Sequence, residues 1–226
     1  MLIKREREDF YILKWLDEFM TGHKGFIAGG CFKNIFCKEK VKDIDIFFES
    51  AQDWQDAVNY FDSMTPGYEG PDVQSEQYTF YYENANVKAY KHQKSNIVLE
   101  LICKKYGTAK EVLNEFDFTI AKFAYYKEEV SDGTGEIAPF GGGKEDVTHI
   151  EYRILCDENY FEHLHLKRLV VDDQIPFPAS TFERMIRYAG YGYKPCRETK
   201  MKIMKAIHGL PIEKLEVPES LYDGMD

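Results

Sequence analysis

Residues 43–49 carry the pattern that most restricts what this chain can fold into. Two sets of side chains alternate there, Ile44, Ile46 and Phe48 in one and Asp43, Asp45 and Phe47 in the other. Because successive side chains of a strand point to opposite faces, the pattern predicts a strand with Asp43 and Asp45 on one face. Alternate residues of a strand lie about 6.6 Å apart, so the two carboxylates can converge on shared divalent cations. The alternative is a solvated strand face in an acidic protein.

A short apolar segment before this strand ends in two glycines. Residues 25–28, Gly-Phe-Ile-Ala, predict a buried strand that enters a tight turn at Gly29 and Gly30, and a short helix is predicted at 31–38. Glycine lets backbone N–H groups approach a ligand closely, and the start of a helix favours anions. Alone, two glycines more often mark only a turn. Opposite an Asp-x-Asp strand, they predict a triphosphate site that faces a metal site, and oxygen ligands of this kind suit Mg²⁺.

The rest of the sequence predicts a mixture of strands and helices. Helices are predicted at residues 5–21, 51–64, 108–115, 179–190 and 197–207, strands at 77–83, 87–92, 97–104 and 118–127, and loops at 65–76 and 131–143. The first helix is expected to bury Ile12, Trp15, Leu16, Phe19 and Met20. From about Asp157 the pattern is helical. We therefore expect an α/β (α+β) domain with a mixed or antiparallel sheet at residues 1–150, and a small helical part at 151–226.

Composition and charge exclude several classes of protein. No apolar run approaches the roughly 20 residues that cross a bilayer, and the first residues are too charged for a signal peptide, so we expect a soluble, cytoplasmic protein without a membrane partner. Five cysteines without a Cys-x-x-Cys pair argue against a disulfide framework and a zinc site. His163 and His165 are interpreted as surface histidines, because residues two apart on a helix point in different directions.

The formal net charge of −10 repels nucleic acid from most of the surface. Residues 160–208 are the exception, with nine basic and five acidic side chains. This basic segment is therefore the predicted place of contact for any RNA partner. The alternative is a solvated helical face.

The glycine and aspartate motifs resemble those of a known family. Gly-Gly-Cys-Phe-Lys-Asn at 29–34 and Lys-Asp-Ile-Asp-Ile at 42–46 are similar to the Gly-Gly-x-Val-Arg-Asp and Lys-Asp-Ile-Asp-Ile signature of the tRNA nucleotidyltransferase (CCA-adding enzyme) and poly(A) polymerase family, part of the DNA polymerase β nucleotidyltransferase superfamily. Later segments follow in the family's order. Residues 116–125 resemble its Arg-Asp-Phe-Thr-Ile-Asn-Ala-x-Ala-Tyr motif, 137–147 its Ile-Asp-Pro-x-Gly-Gly-x-x-Asp-Leu loop, and 184–193 its Arg-Met-Leu-Arg-Ala helix with Gly-Phe.

The resemblance implies a nucleotidyltransferase head domain that catalyses a two-metal transfer. Asp43 and Asp45 would hold Mg²⁺, an acceptor hydroxyl would attack the α-phosphate of a nucleoside triphosphate such as ATP, and pyrophosphate would leave. Superfamily members often supply a third acid from a later strand, and Glu100 is the candidate if its strand lies beside the first. The nucleotide-binding residues that the resemblance implies are Gly29, Gly30, Lys33, Asn34, Asp117, Arg184 and Arg187. The alternative for Glu100 is a residue at a strand edge that favours solubility. The alternative for Asp117 is a residue that caps or pins the next strand.

The implied acceptor is an RNA or tRNA 3′ end, reached through the basic segment. The chain departs from the family in three ways. Lys33 and Asn34 replace Arg-Asp, which keeps a cation but loses the bidentate fork. Residues 180–184, Ser-Thr-Phe-Glu-Arg, replace the Glu-Asp-x-x-Arg that selects the base, and the chain stops near the family's neck. Two alternatives stay open: a catalytically silent nucleotide-binding module, and a toxin-like enzyme that modifies tRNA, a protein or a small molecule.

Overall fold

The Asp43–Asp45 strand lies inside a sheet of eight strands. The computed structural model describes residues 1–67, 77–131 and 148–211. Within them the sheet consists of β1 (Leu2–Glu6), β2 (Phe26–Ala28), β3 (Asp43–Phe48), β4 (Tyr78–Glu83), β5 (Val87–His92), β6 (Val98–Tyr106), β7 (Phe123–Ser131) and β8 (Thr148–Asp157). The strand order is β1-β8-β7-β2-β3-β6-β5-β4, and every neighbouring pair is antiparallel except β3 with β6. This mixed, mostly antiparallel sheet confirms the predicted fold class.

Helices cover both faces of the sheet. They are α1 (Cys31–Phe36), α2 (Ala51–Ser63), α3 (Ala109–Glu115), α4 (Tyr160–His165), α5 (Pro178–Gly190) and α6 (Arg197–His208), with 3-10 helices at Arg7–Met20 and Thr119–Ala121. Two short strands, β9 (Arg168–Leu169) and β10 (Lys194–Pro195), pair outside the main sheet. Ile44 and Ile46 belong to the larger apolar core, whereas Phe47 packs in a smaller core with residues of α3. By strand alternation, the two aspartates lie on the face of the smaller core.

Capping side chains set where α2 and α3 begin. Ser50 Oγ accepts a hydrogen bond of 3.1 Å from the Asp53 backbone N–H. At α3 the capping box is present: the Glu111 N–H donates to Thr108 Oγ1 at 3.4 Å, and Glu111 Oε2 accepts from the Thr108 N–H at 2.8 Å. These contacts satisfy backbone donors that the start of a helix leaves without partners. The sequence therefore predicts the start of both helices to within one residue.

The N-terminal helix differs from the prediction in type and in its buried face. Residues 7–20 form a 3-10 helix with a kink at Phe10, and β1, which the sequence did not predict, precedes it. A 3-10 helix has three residues per turn, so Leu13, Leu16 and Phe19 share the buried side. The expectation that Ile12 and Trp15 would be buried is wrong, because it assumed the α-helical period of 3.6; these side chains are 47% and 39% exposed.

Two further strand predictions need correction. β7 begins at Phe123, because the 3-10 helix Thr119–Ala121 occupies the start of the predicted strand at 118–127. β8 was not predicted. It pairs with β7, and cross-strand ion pairs such as Arg153 Nε to Glu128 Oε2 at 3.0 Å join the two strands. The alternation of Ile150, Tyr152 and Ile154 with charged residues was the signal that could have identified it. β8 runs across residue 150, and the division into domains at 1–150 and 151–226 stays a prediction.

Several predicted segments lie outside the described residues. They are most of the loop predicted at 65–76, the motif at 137–147 with nearly all of the loop predicted at 131–143, and the tail from residue 212. None of the helices in the described ranges is both long and apolar enough to span a bilayer.

A buried histidine makes stability depend on pH. The Gly25 N–H donates to His23 Nδ1 at 3.0 Å, so His23 Nε2 carries the proton that bonds the Phe19 carbonyl at 2.9 Å. Burial lowers the pKa of His23 to about 4, below the usual value near 6.5. The unfolded chain therefore gains a proton first as pH falls. We therefore expect the protonation of His23 in the unfolded chain to lower the free energy of unfolding by about 3 kcal/mol between pH 7 and pH 4. Urea denaturation at the two pH values measures the change.

The His23→Gln variant isolates this effect, since it removes the titrating ring. We expect its unfolding free energy to decline less than that of the wild type over the same pH range. His165→Gln is the matched control, because His165 is exposed. Identical pH profiles for His23→Gln and the wild type would contradict the assignment.

Candidate functional site

Asp43 and Asp45 share one face of β3, as predicted. Ile44 and Ile46 are fully buried on the opposite face, and both aspartates are partly accessible. Asp45 lines a small pocket on the face covered by α3, and Asp43 lines the larger cleft beside it. Gly30 borders both spaces. The two carboxylates therefore face adjoining parts of one site.

The larger cleft carries positive charge in an acidic protein. Its volume is about 550 Å³, within the range of ligand-binding pockets. Its cationic lining residues are Lys33, Lys40, Lys42, Arg184 and Arg187. The carboxylates of Asp43 and Glu39 line it as well. A cleft whose charged lining residues are mainly cationic concentrates anionic ligands, and a cation held by Asp43 would add to that attraction.

The predicted glycine turn lies against the aspartates. Gly29 has a φ of +99°, a conformation that side chains strongly disfavour. A β-carbon at this position would lie 3.4 Å from Asp45 Oδ2. Gly30 borders open space, since no described atom outside its own stretch of backbone lies within 4 Å of where its β-carbon would be. The turn thus brings backbone close to Asp45 and leaves room in front of Gly30.

Lys33 and Asn34 of α1 make contacts with each other and with the segment that follows the helix. The Lys33 ammonium donates to the Asn34 side-chain oxygen and, at 3.1 Å, to Glu39 Oε2. It also lies 5.4 Å from the ring centroid of Tyr191, within range of a cation–π interaction. Lys33 is only 8% exposed. This cation is therefore held in place at the edge of the cleft.

A buried ion pair joins α5 to the segment before β7. Arg184 Nε and Nη2 both donate to Asp117 Oδ2, at 3.0 and 2.9 Å. The side chains are 16% and 6% exposed. Both residues line the small pocket with Asp45. Asp117 therefore pins α5 and also faces the candidate site.

Glu100 lies beside Asp45 in the sheet. β6 is the parallel neighbour of β3, and Asp45 pairs in register with Glu100. In-register residues of neighbouring strands share a face of the sheet. The Tyr82 hydroxyl donates to Glu100 Oε1 at 2.7 Å. The strand that carries the predicted third acid is thus adjacent to the aspartate strand, and its catalytic role stays a prediction.

Two other titratable groups near the aspartates stay protonated at neutral pH. Burial, with smaller contributions from Asp45 and Asp43, raises the pKa of the Cys31 thiol. Burial, and next the negative charge of Asp117, raises the pKa of Tyr188. A protonated thiol is a poor nucleophile, so Cys31 is a packing residue and not a reactive group.

Sequence reasoning did not select two tyrosines that line the cleft. Arg184, Arg187, Tyr188 and Tyr191 are spaced at i, i+3, i+4 and i+7, and all four line it. This spacing marks one helix face, so the periodicity of α5 was the signal that could have identified them. Tyr191 is 56% exposed, which makes it available to stack on a base.

The C-terminal part of the basic segment lies elsewhere. Lys200 and Lys205 are exposed on α6, and Lys202 pairs with Asp173 at 2.7 Å and Glu198 at 3.1 Å. None of these lysines is among the residues that line the two described spaces of the site. The basic segment therefore divides into an α5 part at the cleft and an α6 part outside it.

The expectation of two surface histidines is wrong for His163. This side chain is 7% exposed, and its Nδ1 lies 2.8 Å from Thr119 Oγ1. The tertiary packing of α4 on the 3-10 helix Thr119–Ala121 buries it, which spacing along the helix does not reveal. His165 is exposed, as predicted.

The two aspartates form a donor set that fits Mg²⁺. In residues 1–67, 77–131 and 148–211, no three His, Cys, Asp or Glu side chains cluster tightly enough to hold a metal ion by themselves. Mg²⁺ in proteins is commonly held by one or two carboxylates together with water and substrate phosphates. Asp43 and Asp45 therefore suit an ion shared with a bound phosphate group.

The fold is similar to that of part of the CCA-adding enzymes, at low sequence identity. The Thermotoga maritima CCA-adding enzyme complexed with tRNA matches with a TM-score of 0.53 and 16% identity, over 92% of this chain and 46% of that chain. Complexes of a CCA-adding enzyme with CTP and with ATP each match with a TM-score of 0.54, at 16% and 15% identity, over 95% of this chain and 49% and 50% of theirs. This chain spans about half the length of these structures.

Sequence comparison assigns the chain to a family. No curated protein matches it. Residues 6–167, more than half of the chain, match the model of the Gabija anti-defense 2 family. This stretch includes the glycine turn, β3, β6 and Asp117. The chain therefore belongs to the Gabija anti-defense 2 family.

Proposed function

We propose that the protein is a Mg²⁺-dependent nucleotidyltransferase that moves a nucleoside monophosphate from a nucleoside triphosphate to an acceptor hydroxyl. One observation carries the proposal: the Asp43–Asp45 face of β3 lies against the Gly29 turn and opens into a cleft lined by cations. The likeness of the fold to CCA-adding enzymes supports it.

The position of each residue in the site indicates its proposed role. Asp43 and Asp45 would hold Mg²⁺, which when bound neutralises phosphate charge and activates the α-phosphate to attack. The open space at Gly30 admits the phosphates beside them. Lys33 and Arg187 line the cleft and would bind phosphate oxygens. The nucleoside would lie near Arg184 and Asp117, in the pocket that Asp45 lines.

Glu100 would act on the acceptor. It would orient the acceptor hydroxyl and take its proton as the hydroxyl oxygen bonds to the α-phosphorus. The bond from the α-phosphorus to the bridging oxygen breaks, and pyrophosphate leaves with that oxygen. The register pairing of Glu100 with Asp45 supports this role.

The acceptor has two candidates with separate support. The α5 part of the basic segment at the cleft supports an RNA 3′ end. The family description, Gabija anti-defense 2, supports a component of the Gabija defence.

A labelling experiment tests both candidates. The protein is incubated with Mg²⁺ and each α-labelled triphosphate, first with total cellular RNA and then with purified Gabija proteins, a protein extract and a metabolite extract. We expect label in one of these acceptors, because the proposed site binds a triphosphate beside the carboxylate that would orient an acceptor hydroxyl. If RNA is labelled through the α6 lysines, charge reversal at Lys200, Lys202 and Lys205 should weaken RNA binding for all sequences alike and flatten its salt dependence.

The outcomes separate the alternatives. If RNA is labelled and the charge reversals at α6 leave that labelling unchanged, contact between RNA and the α6 lysines is excluded. The proposed transferase activity is then retained. Triphosphate binding without label in any acceptor would contradict the transferase and favour a silent nucleotide-binding module.

A further inference from the structure

An irregularity in the edge strand β4 turns one tyrosine toward the candidate site. Phe80 pairs with Tyr90 of β5, but Tyr82 pairs with Ala89, so Tyr81 is an extra residue between the two pairs. Such a β-bulge shifts every later side chain to the other face of the sheet. Without it, Tyr82 would lie opposite Lys88, whose ammonium contacts Asp62 of α2 at 3.0 Å on the far face.

The bulge completes a row of side chains across four strands. Tyr82 of β4 pairs with Ala89 of β5, Ala89 pairs with Glu100 of β6, and Glu100 pairs with Asp45 of β3. Ala89 is fully buried, and its methyl group leaves room for the tyrosine to reach past its own neighbour. The Tyr82 hydroxyl spans β5 and donates to Glu100 Oε1 at 2.7 Å.

We propose that Tyr82 is a positioning residue, which holds the Glu100 carboxylate in the orientation that the acceptor hydroxyl needs; this inference rests on the proposed function. A glutamate side chain has several rotamers, and the phenol donor selects one of them. A positioned general base contributes about 100-fold or more to the rate, so we expect loss of the hydrogen bond that orients it to cost about 10-fold of that factor. Tyr82 acts through Glu100 and touches neither the pocket nor the cleft lining described above.

The test uses Tyr82→Phe, which removes one oxygen and keeps the ring. With α-labelled ATP, Mg²⁺ and the acceptor that takes label, we expect kcat to fall about 10-fold, while the KM for ATP stays within about two-fold because Asp43 and Asp45 are unchanged. Tyr81→Phe is the matched control. Tyr81 is the neighbouring residue of the bulge, 55% exposed, and its variant should keep the wild-type kcat.

A double variant shows whether Tyr82 acts through Glu100. Glu100→Gln should lower kcat by about 100-fold, and adding Tyr82→Phe should lower it no further. A Tyr82→Phe kcat within two-fold of the wild type, or full multiplication of the two losses in the double variant, would overturn the proposal. Failure of the proposed function looks different: the wild-type protein itself would label no acceptor, and the positioning role would fall with it.

Discussion

Replacing Asp45 with Asn is expected to lower the rate of nucleotidyl transfer by about 1000-fold. The carboxylate contributes a full negative charge to the face that would hold Mg²⁺, and metal stabilisation of the transferring phosphate is worth several kcal/mol, with each 1.36 kcal/mol counting for a factor of ten. The Asn side chain has nearly the same shape, so the turn at Gly29 can keep its packing against residue 45. The measurement is the initial rate of label transfer from α-labelled ATP at saturating Mg²⁺.

Glu49→Gln is the matched control for this prediction. Glu49 lies directly after β3 and is exposed, so its variant removes a nearby negative charge without touching the site. We expect its transfer rate to stay within about two-fold of the wild type. If Asp45→Asn and Glu49→Gln reduced the rate equally, general electrostatics would explain the loss and the assignment of Asp45 would be wrong.

Arg184→Met is expected to lower the free energy of unfolding by about 3 kcal/mol, because it leaves the Asp117 carboxylate buried without its cation. Asp117 is 6% exposed on its side chain, and both hydrogen bonds from Arg184 are lost. Urea denaturation measures the change. Triphosphate binding should weaken as well, since Arg184 lines both spaces of the site.

Two comparisons separate the buried pair from a general loss of an arginine. Arg168 makes an exposed ion pair with Glu162 at 3.5 Å, and Arg168→Met should change stability by less than about 0.5 kcal/mol. Adding Asp117→Asn to Arg184→Met removes the stranded charge and should restore part of the lost stability. Equal effects of Arg168→Met and Arg184→Met would contradict the importance of the buried pair.

Local patterns predicted the centre of the site. Strand alternation gave the shared face of Asp43 and Asp45, the glycine pair gave the turn, and the Thr108–Glu111 spacing gave the capping box. Each of these features is decided within a few residues of the chain. Local sequence patterns were therefore sufficient to predict these three features.

Features set by distant residues escaped prediction. The Asp117–Arg184 pair joins residues 67 positions apart. The bulge at Tyr81 leaves the alternation of β4 ambiguous, so the face of Tyr82 becomes visible only in the pairing with β5. The helix at Arg7–Met20 is a 3-10 helix with three residues per turn, so a prediction that assumed the α-helical period selected the wrong buried face.

Calorimetric titration of ATP into the protein, with and without Mg²⁺, tests the central claim most directly because it needs no acceptor. The wild type should bind ATP more tightly when Mg²⁺ is present, and the double variant Asp43→Asn with Asp45→Asn should lose this metal-dependent part of the binding. Equal Mg²⁺-dependent binding by the wild type and the double variant, or no binding by the wild type, would contradict the assignment of this site.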